Sequence, residues 1–186
     1  MEFPILSALI AVPIIGAVVC MLTPANRPEI AKATGYAATM VNLGLAAWLL
    51  WQFQPHVGAF QFVENQRWIP TLGINYTVGV DGISIFMVAV TGLLFPLGLL
   101  GSERYIQHRV KAYVAWFLLL EGAIMGIFLS LDLIAFFIFW ELVLVPMYFL
   151  IQGWGSGQRE FAAMKFFIYT AARITPSAAT IANGSL

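Results

Sequence analysis

The stretch Phe136-Phe137-Ile138-Phe139-Trp140-Glu141-Leu142-Val143-Leu144-Val145-Pro146-Met147-Tyr148 decides the fold. It lies within nineteen residues, Leu133 to Ile151, long enough to cross the hydrocarbon core of a bilayer as a helix. Their only ionisable carboxyl is Glu141. At about 1.5 Å of rise per residue, it stands roughly 12 Å from one end of the span and roughly 15 Å from the other. A charged side chain at that depth costs about 2.5 to 3.5 kcal/mol unless it is neutralised, paired or hydrated. Pro146 lacks the N–H that would bond the Leu142 carbonyl, so it frees an acceptor beside Glu141 and predicts a kink. Tyr148 and Gln152 follow Glu141 at spacings that place all three within about 20° of one helical line. A polar stripe therefore runs from mid-membrane to one surface. A structural hydrogen-bonding acid and an interfacial tyrosine would account for the same residues. Intramembrane carboxyls, however, usually mark ion paths or proton relays, which favours the functional reading.

Composition agrees with the membrane class. The 186 residues are 61% hydrophobic and 10% charged, with a mean hydropathy of +0.87, which excludes a soluble enzyme. Zero net charge gives no argument for a nucleic-acid partner. The lone Cys20 lies in an apolar run and reads as a small packing residue. His56 and His108 fall in loops on opposite expected sides of the membrane, and no Cys/His cluster points to a metal.

The first apolar run, Phe3 to Leu22, contains Pro4 and Pro13. Glu2 rather than basic residues precedes it, which argues for a retained helix and against a signal peptide. Thr23 to Lys32 reads as a loop, and Ala33 to Phe53 as a second span with Asn42 in its middle and Trp48 and Trp51 near its end. Asn42 is expected to make an interhelical hydrogen bond. Gln54 to Val80 is the longest polar segment; its alternation over Phe60 to Trp68 and Ile74 to Val78, around Pro70 and Gly73, predicts a β-hairpin. Asp81, in Gly79-Val80-Asp81-Gly82-Ile83-Ser84, is placed to cap the third span, Ile83 to Leu100, which contains Pro96.

The fourth span, Ala112 to Leu131, again holds one acid, Glu121, followed by Gly122 and Gly126, whose spacing permits close helix approach. Leu131 and Asp132 form the only turn before the fifth span, so the two spans make a tight antiparallel hairpin. Counted from Leu131, Glu121 and Glu141 share one depth, about 15 Å from the turn. If they face each other, shared burial and repulsion suit a site that takes up and releases a proton; one of them facing a helix not present in this sequence is the alternative. Gly153-Trp154-Gly155-Ser156-Gly157 lacks the Lys of a phosphate-binding loop and reads as an interhelical turn. Phe161 to Ala172, with Lys165, starts a sixth span that stays incomplete, since Pro176 is expected to stop a helix. Residues 173–186 read as an atypical polar tail. Loops one, three and five carry six Lys or Arg against Arg67 alone on the other side, which predicts that they are cytoplasmic and the N-terminus is not.

Phe139-Trp140-Glu141-Leu142-Val143-Leu144-Val145-Pro146-Met147-Tyr148-Phe149-Leu150-Ile151, then Lys165-Phe166-Phe167-Ile168-Tyr169-Thr170 and the Gly79 to Ser84 segment, resemble one family: subunit M, or chain 4, of proton-pumping NADH-quinone oxidoreductase, respiratory complex I. The resemblance covers roughly Met1 to Ala172. It implies an all-α, polytopic helix bundle, the N-terminal third of a fourteen-helix antiporter-like fold built from two inverted repeats, here with five complete spans and an incomplete sixth. It also implies that Glu141 is the key acid of a first proton half-channel and Glu121 its assisting acid, with Lys165, Pro146, Tyr148 and Gln152 in support. The family's essential lysine partner belongs to a later helix. No cofactor is expected in this chain; NADH, FMN, iron–sulfur clusters and quinone belong to the implied complex. The expected partners are lipid and the other membrane-arm subunits, with no nucleic acid. The expected location is a bacterial plasma membrane, with a thylakoid or organellar membrane as the alternative. A cation/proton antiporter subunit without redox coupling and an inactive truncated fragment are the competing functional readings.

Overall fold

The computed structural model describes residues 4–24, 27–56, 59–69 and 74–182. Six helices and one hairpin follow in the order α1 (Ile5–Leu22), α2 (Pro28–Gln52), β1 (Gln61–Ile69), β2 (Ile74–Val80), α3 (Ser84–Ser102), α4 (Val110–Leu129), α5 (Leu133–Trp154) and α6 (Arg159–Ala182). The first five helices are each long and apolar enough to cross a membrane, and the chain is an integral membrane protein. Lipid gives little hydrophobic drive for one apolar helix to join another, so packing depends on close approach at small residues. A Cβ added to Gly16 would lie 2.9 Å from the Ala38 Cβ, and one added to Gly35 would lie 2.6 Å from Val114. These contacts seat α1 against α2 and α2 against α4. Helix α4 packs against α1, α2, α3 and α5 and is the centre of the bundle.

Two boundaries differ from those read in the sequence. Helix α2 starts at Pro28, five residues before Ala33. Proline is preorganised for a first helical turn, where its missing N–H costs nothing, and Glu29 lies at the positive end of the helix dipole. Helix α6 continues to Ala182, past the stop expected at Pro176. An internal proline removes one backbone hydrogen bond, and the alanine-rich sequence around it favours helix enough to offset that loss.

The predicted hairpin is present. Strands β1 and β2 are antiparallel, with Glu64 opposite Val78 and Gln66 opposite Tyr76. Residues 70–73, between the two strands in sequence, and residues 183–186 lie outside the described residues. The hairpin holds one end of the bundle together. The Leu131 N–H donates to the Thr77 carbonyl at 2.9 Å, and Val78 bridges to Ser130 in the turn between α4 and α5. At the opposite end, Lys32 pairs with Glu103 at 3.1 Å, and the Trp154 indole N–H donates to the His108 carbonyl.

Glu64 makes the hairpin's attachment to α1. Pro4 precedes α1 and offers no capping side chain. The Glu64 carboxylate instead accepts from the Leu6 N–H at 2.8 Å, the Ser7 N–H at 3.1 Å and the Ser7 hydroxyl. Glu64→Ala removes the acceptor for two orphan donors of a helix N-terminus and is expected to cost about 1 to 2 kcal/mol. Thermal melting in detergent, together with faster amide exchange at Leu6 and Ser7, measures that loss.

Asp81 caps α3 as expected: its Oδ1 accepts from Ser84 N at 2.7 Å and Ile83 N at 3.0 Å. The Ser84 backbone N–H, helped by the Ser84 hydroxyl, holds the Asp81 carboxyl below the usual carboxylate range. A carboxyl lowered on folding stabilises the fold above its unfolded pKa of about 4, and that contribution disappears as pH falls through the lowered value. Asp81→Ala is therefore expected to cost about 1 kcal/mol at pH 7 and progressively less below about pH 4. Melting curves of both proteins across pH 2 to 7 test the sign.

Candidate functional site

The α4–α5 hairpin positions the two acids. Asp132 caps α5 by accepting from Ile134 N and Ala135 N, and the chain reverses within Ser130 to Asp132. Trp116 stacks on Phe149, with ring centroids 4.4 Å apart, near one end of the pair. Ten residues along each helix, Gly126 meets the Phe139 ring; a Cβ on Gly126 would lie 2.3 Å from it. These two contacts fix the register.

Glu121 lies midway between Trp116 and Gly126, and so is level with Leu144, midway between Phe149 and Phe139. Glu141 is three residues nearer the turn than Leu144, a step of about 4.5 Å. The equal depth counted from Leu131 is thereby corrected: both contacts centre the hairpin between Asp132 and Leu133, which displaces the count by three residues. The faces differ as well. Glu141 is two residues from Phe139, about 160° around α5, so it stands on the side turned away from α4. Glu121 is five residues from Gly126, about 140° around α4, and turns away from α5. The two acids do not face each other.

Glu121 faces α2. It is fully buried, and the Asn42 Nδ2 donates to its Oε1 at 2.8 Å. Asn42 makes the interhelical bond expected of it, and its partner is the acid. Glu141 is exposed on α5, on a face it shares with Ile134, Ile138 and Val145. Among the described residues, no hydrogen-bond donor or cation meets it.

The remaining candidates separate in space. Pro146 is buried within a helix that continues past it to Trp154. Tyr148 is half-buried and meets Phe167 of α6 edge-on, with centroids 5.8 Å apart, and Gln152 is half-buried one turn further on. Lys165 is exposed, with its Nζ 4.4 Å from the centroid of the Phe161 ring. The ion pair found among the described residues is Lys32 with Glu103, so Lys165 is paired with neither intramembrane acid.

Asn42 as the partner of Glu121 and Glu64 as the clamp on α1 were not assigned from sequence. Glu64 had one usable signal: an apolar helix opening at Pro4 with no local cap needs an acceptor from elsewhere. No group of three or more His, Cys, Asp or Glu that could hold a metal occurs among the described residues.

Residues 130–174, which contain the whole of α5, match the family described as NADH:quinone oxidoreductase/Mrp antiporter, TM. The chain is 36% identical over 167 residues to F(420)H(2) dehydrogenase subunit M of Methanosarcina mazei, covering 90% of this chain and 33% of the relative. It is 38% identical over 167 residues to NADH-ubiquinone oxidoreductase chain 4 of Arabidopsis thaliana, covering 89% of this chain and 34% of the relative. The chain thus spans about a third of the length of the curated relatives it matches. Its fold superposes on a chain of respiratory complex I from Thermus thermophilus with a TM-score of 0.80 at 23% identity, over 96% of this chain and 35% of the other. An acid-bearing fifth helix inside the matched segment, the bundle around it and relatives that are subunit M or chain 4 agree: over this length the chain is similar to the subunit M or chain 4 membrane proteins, and residues 130–174 match the NADH:quinone oxidoreductase/Mrp antiporter family.

Proposed function

We propose that this chain contributes a proton-transfer site to a membrane complex that couples quinone reduction to proton translocation, with Glu141 as the group that binds and releases the proton. The observation that carries this reading is the place of Glu141. It is an acid near the middle of a 22-residue apolar helix, on an exposed face, without a compensating cation among the described residues. An acid in that setting is expensive unless a partner or water meets it. Tyr148 and Gln152 extend the polar line towards the end of α5 that carries the basic loops. That end is the cytoplasmic one by the charge rule, so protons would enter the stripe from inside.

Redox chemistry belongs to partner subunits in this reading. With one cysteine in 186 residues, the chain lacks the four thiolates of an iron–sulfur cluster, and no electron-transfer step passes through it. Its partners are other membrane-arm subunits and lipid. Electrons delivered elsewhere act on Glu141 through electrostatic interactions along the membrane.

The family is shared with Mrp antiporters, so sodium or potassium exchange without redox coupling is the second reading. Vesicles containing the complex separate the two. Acidification that requires an electron donor and stops when quinone reduction is blocked supports the first. Cation-driven proton exchange with no donor present would replace it with the second.

A further inference from the structure

Asn42 and Glu121 form a buried polar pair. Both residues are 0% exposed, and one hydrogen bond joins them, from Asn42 Nδ2 to Glu121 Oε1. The two remaining oxygens, Asn42 Oδ1 and Glu121 Oε2, have no hydrogen-bond partner among the described residues. An unsatisfied buried acceptor is costly, and a carboxylate ionised in such a place is costlier still.

Among the described residues no countercharge is near. Helices α1 and α3 and strand β2 carry no charged residue. The charges on α2 are Glu29 and Lys32; Lys32 is ten residues from Asn42, about 15 Å, and is paired with Glu103. On α4, Lys111 is likewise about 15 Å from Glu121. The charge on α5 is Glu141, which has the wrong sign and stands on the far face.

We propose that Glu121 is held as a neutral acid with its hydrogen on Oε2, donated to Asn42 Oδ1, so that acid and amide close a two-bond ring around one stored proton. The amide N–H donates to the acid carbonyl, the acid O–H donates to the amide carbonyl, and all four polar atoms are satisfied by a single added hydrogen. Asn42 is the positioning residue. It fixes which oxygen carries the proton and in which direction the O–H points. Release of that proton leaves both carbonyl-type oxygens unpaired again, so Glu121 gives it up only when water or another donor enters. The acid on α4 and the acid on α5 therefore differ in kind, one closed over its proton and the other open at the surface of the chain.

Infrared difference spectroscopy on the assembled complex tests this. Subtracting the Glu121→Gln spectrum from that of the unsubstituted protein should leave a protonated-carboxyl carbonyl band, shifted down by hydrogen–deuterium exchange. Asn42→Leu should move that band to higher wavenumber, because the amide donor to the acid carbonyl is gone. Glu121→Gln should melt with the unsubstituted protein, since the glutamine amide reproduces the donor and acceptor of the acid, whereas Asn42→Leu should melt lower. If Glu121→Gln does not assemble, the Asn42→Leu band shift decides alone. Absence of a band sensitive to either residue, or a carboxylate band in its place, overturns the proposal. The inference does not rest on translocation through Glu141: the band is expected whether or not that acid pumps, so the two readings fail separately.

Discussion

Glu141→Gln in the assembled complex is expected to abolish proton translocation while leaving assembly intact. The substitution changes one atom type on an exposed face of α5, where no described residue packs or bonds to the carboxyl. It keeps the side chain's size and breaks no pair found among the described residues, and a neutral amide is less costly in the membrane than a charged acid. What it removes is the ability to take up and release a proton. Loss of an acid–base group in a transfer step typically slows that step by about a hundredfold or more. Vesicle acidification driven by the electron donor should fall to the leak level. Coupled oxidation should slow with it if translocation is obligatory. Glu141→Asp keeps the ionisable group on a shorter stem and should retain part of the activity. Unchanged acidification in Glu141→Gln, with the subunit present in the purified complex, would remove Glu141 from the path.

The two acids show where sequence reading works and where it stops. Length, apolar content and the isolated carboxyls give the spans and mark Glu121 and Glu141, because a bilayer imposes a span of about twenty apolar residues and makes every intramembrane charge conspicuous. The hairpin of α4 and α5 follows from a turn too short for any other connection. The Asp81 cap is local, set by residues two and three positions away, and is legible for the same reason. Rotation about each helix is not local. It depends on which small residue admits which neighbour, and the sequence offered Gly122 and Gly126 as one surface. In the structure they serve different helices: a Cβ on Gly122 would strike Ile14 of α1, and one on Gly126 would strike Phe139 of α5. Glycines only 40° apart around α4 thus seat two different helices, which the spacing alone does not reveal. The Asn42–Glu121 bond spans 79 positions of chain and the Glu64 clamp 57 or 58, distances at which no spacing rule operates.

Gly126→Ala is expected to be the most damaging small substitution in the bundle. On an exposed helix, replacing glycine by alanine gains about 0.8 to 1 kcal/mol through helix propensity. Gly44 provides that reference, because a Cβ there meets nothing within 4 Å, and Gly44→Ala should stabilise or be neutral. At Gly126 the same methyl would lie 2.3 to 2.5 Å from three atoms of the Phe139 ring. The ring cannot simply rotate aside, because its Cγ, fixed close to the backbone, is one of those atoms. Either α5 withdraws from α4 or Phe139 leaves its rotamer. Overpacking of this kind costs about 1 to 3 kcal/mol, which outweighs the propensity gain. Withdrawal of α5 would also loosen the Trp116–Phe149 stack further down the interface, so the effect should reach the opposite end of the hairpin. Phe139→Ala in the same protein removes the obstruction and should recover most of the stability lost, a rescue that a defect confined to α4 would not give. Melting temperatures in one detergent for Gly44→Ala, Gly126→Ala and Gly126→Ala with Phe139→Ala provide the comparison. If Gly126→Ala melts with the unsubstituted protein, the approach of α5 is set elsewhere, and the outward face assigned to Glu141 loses its anchor.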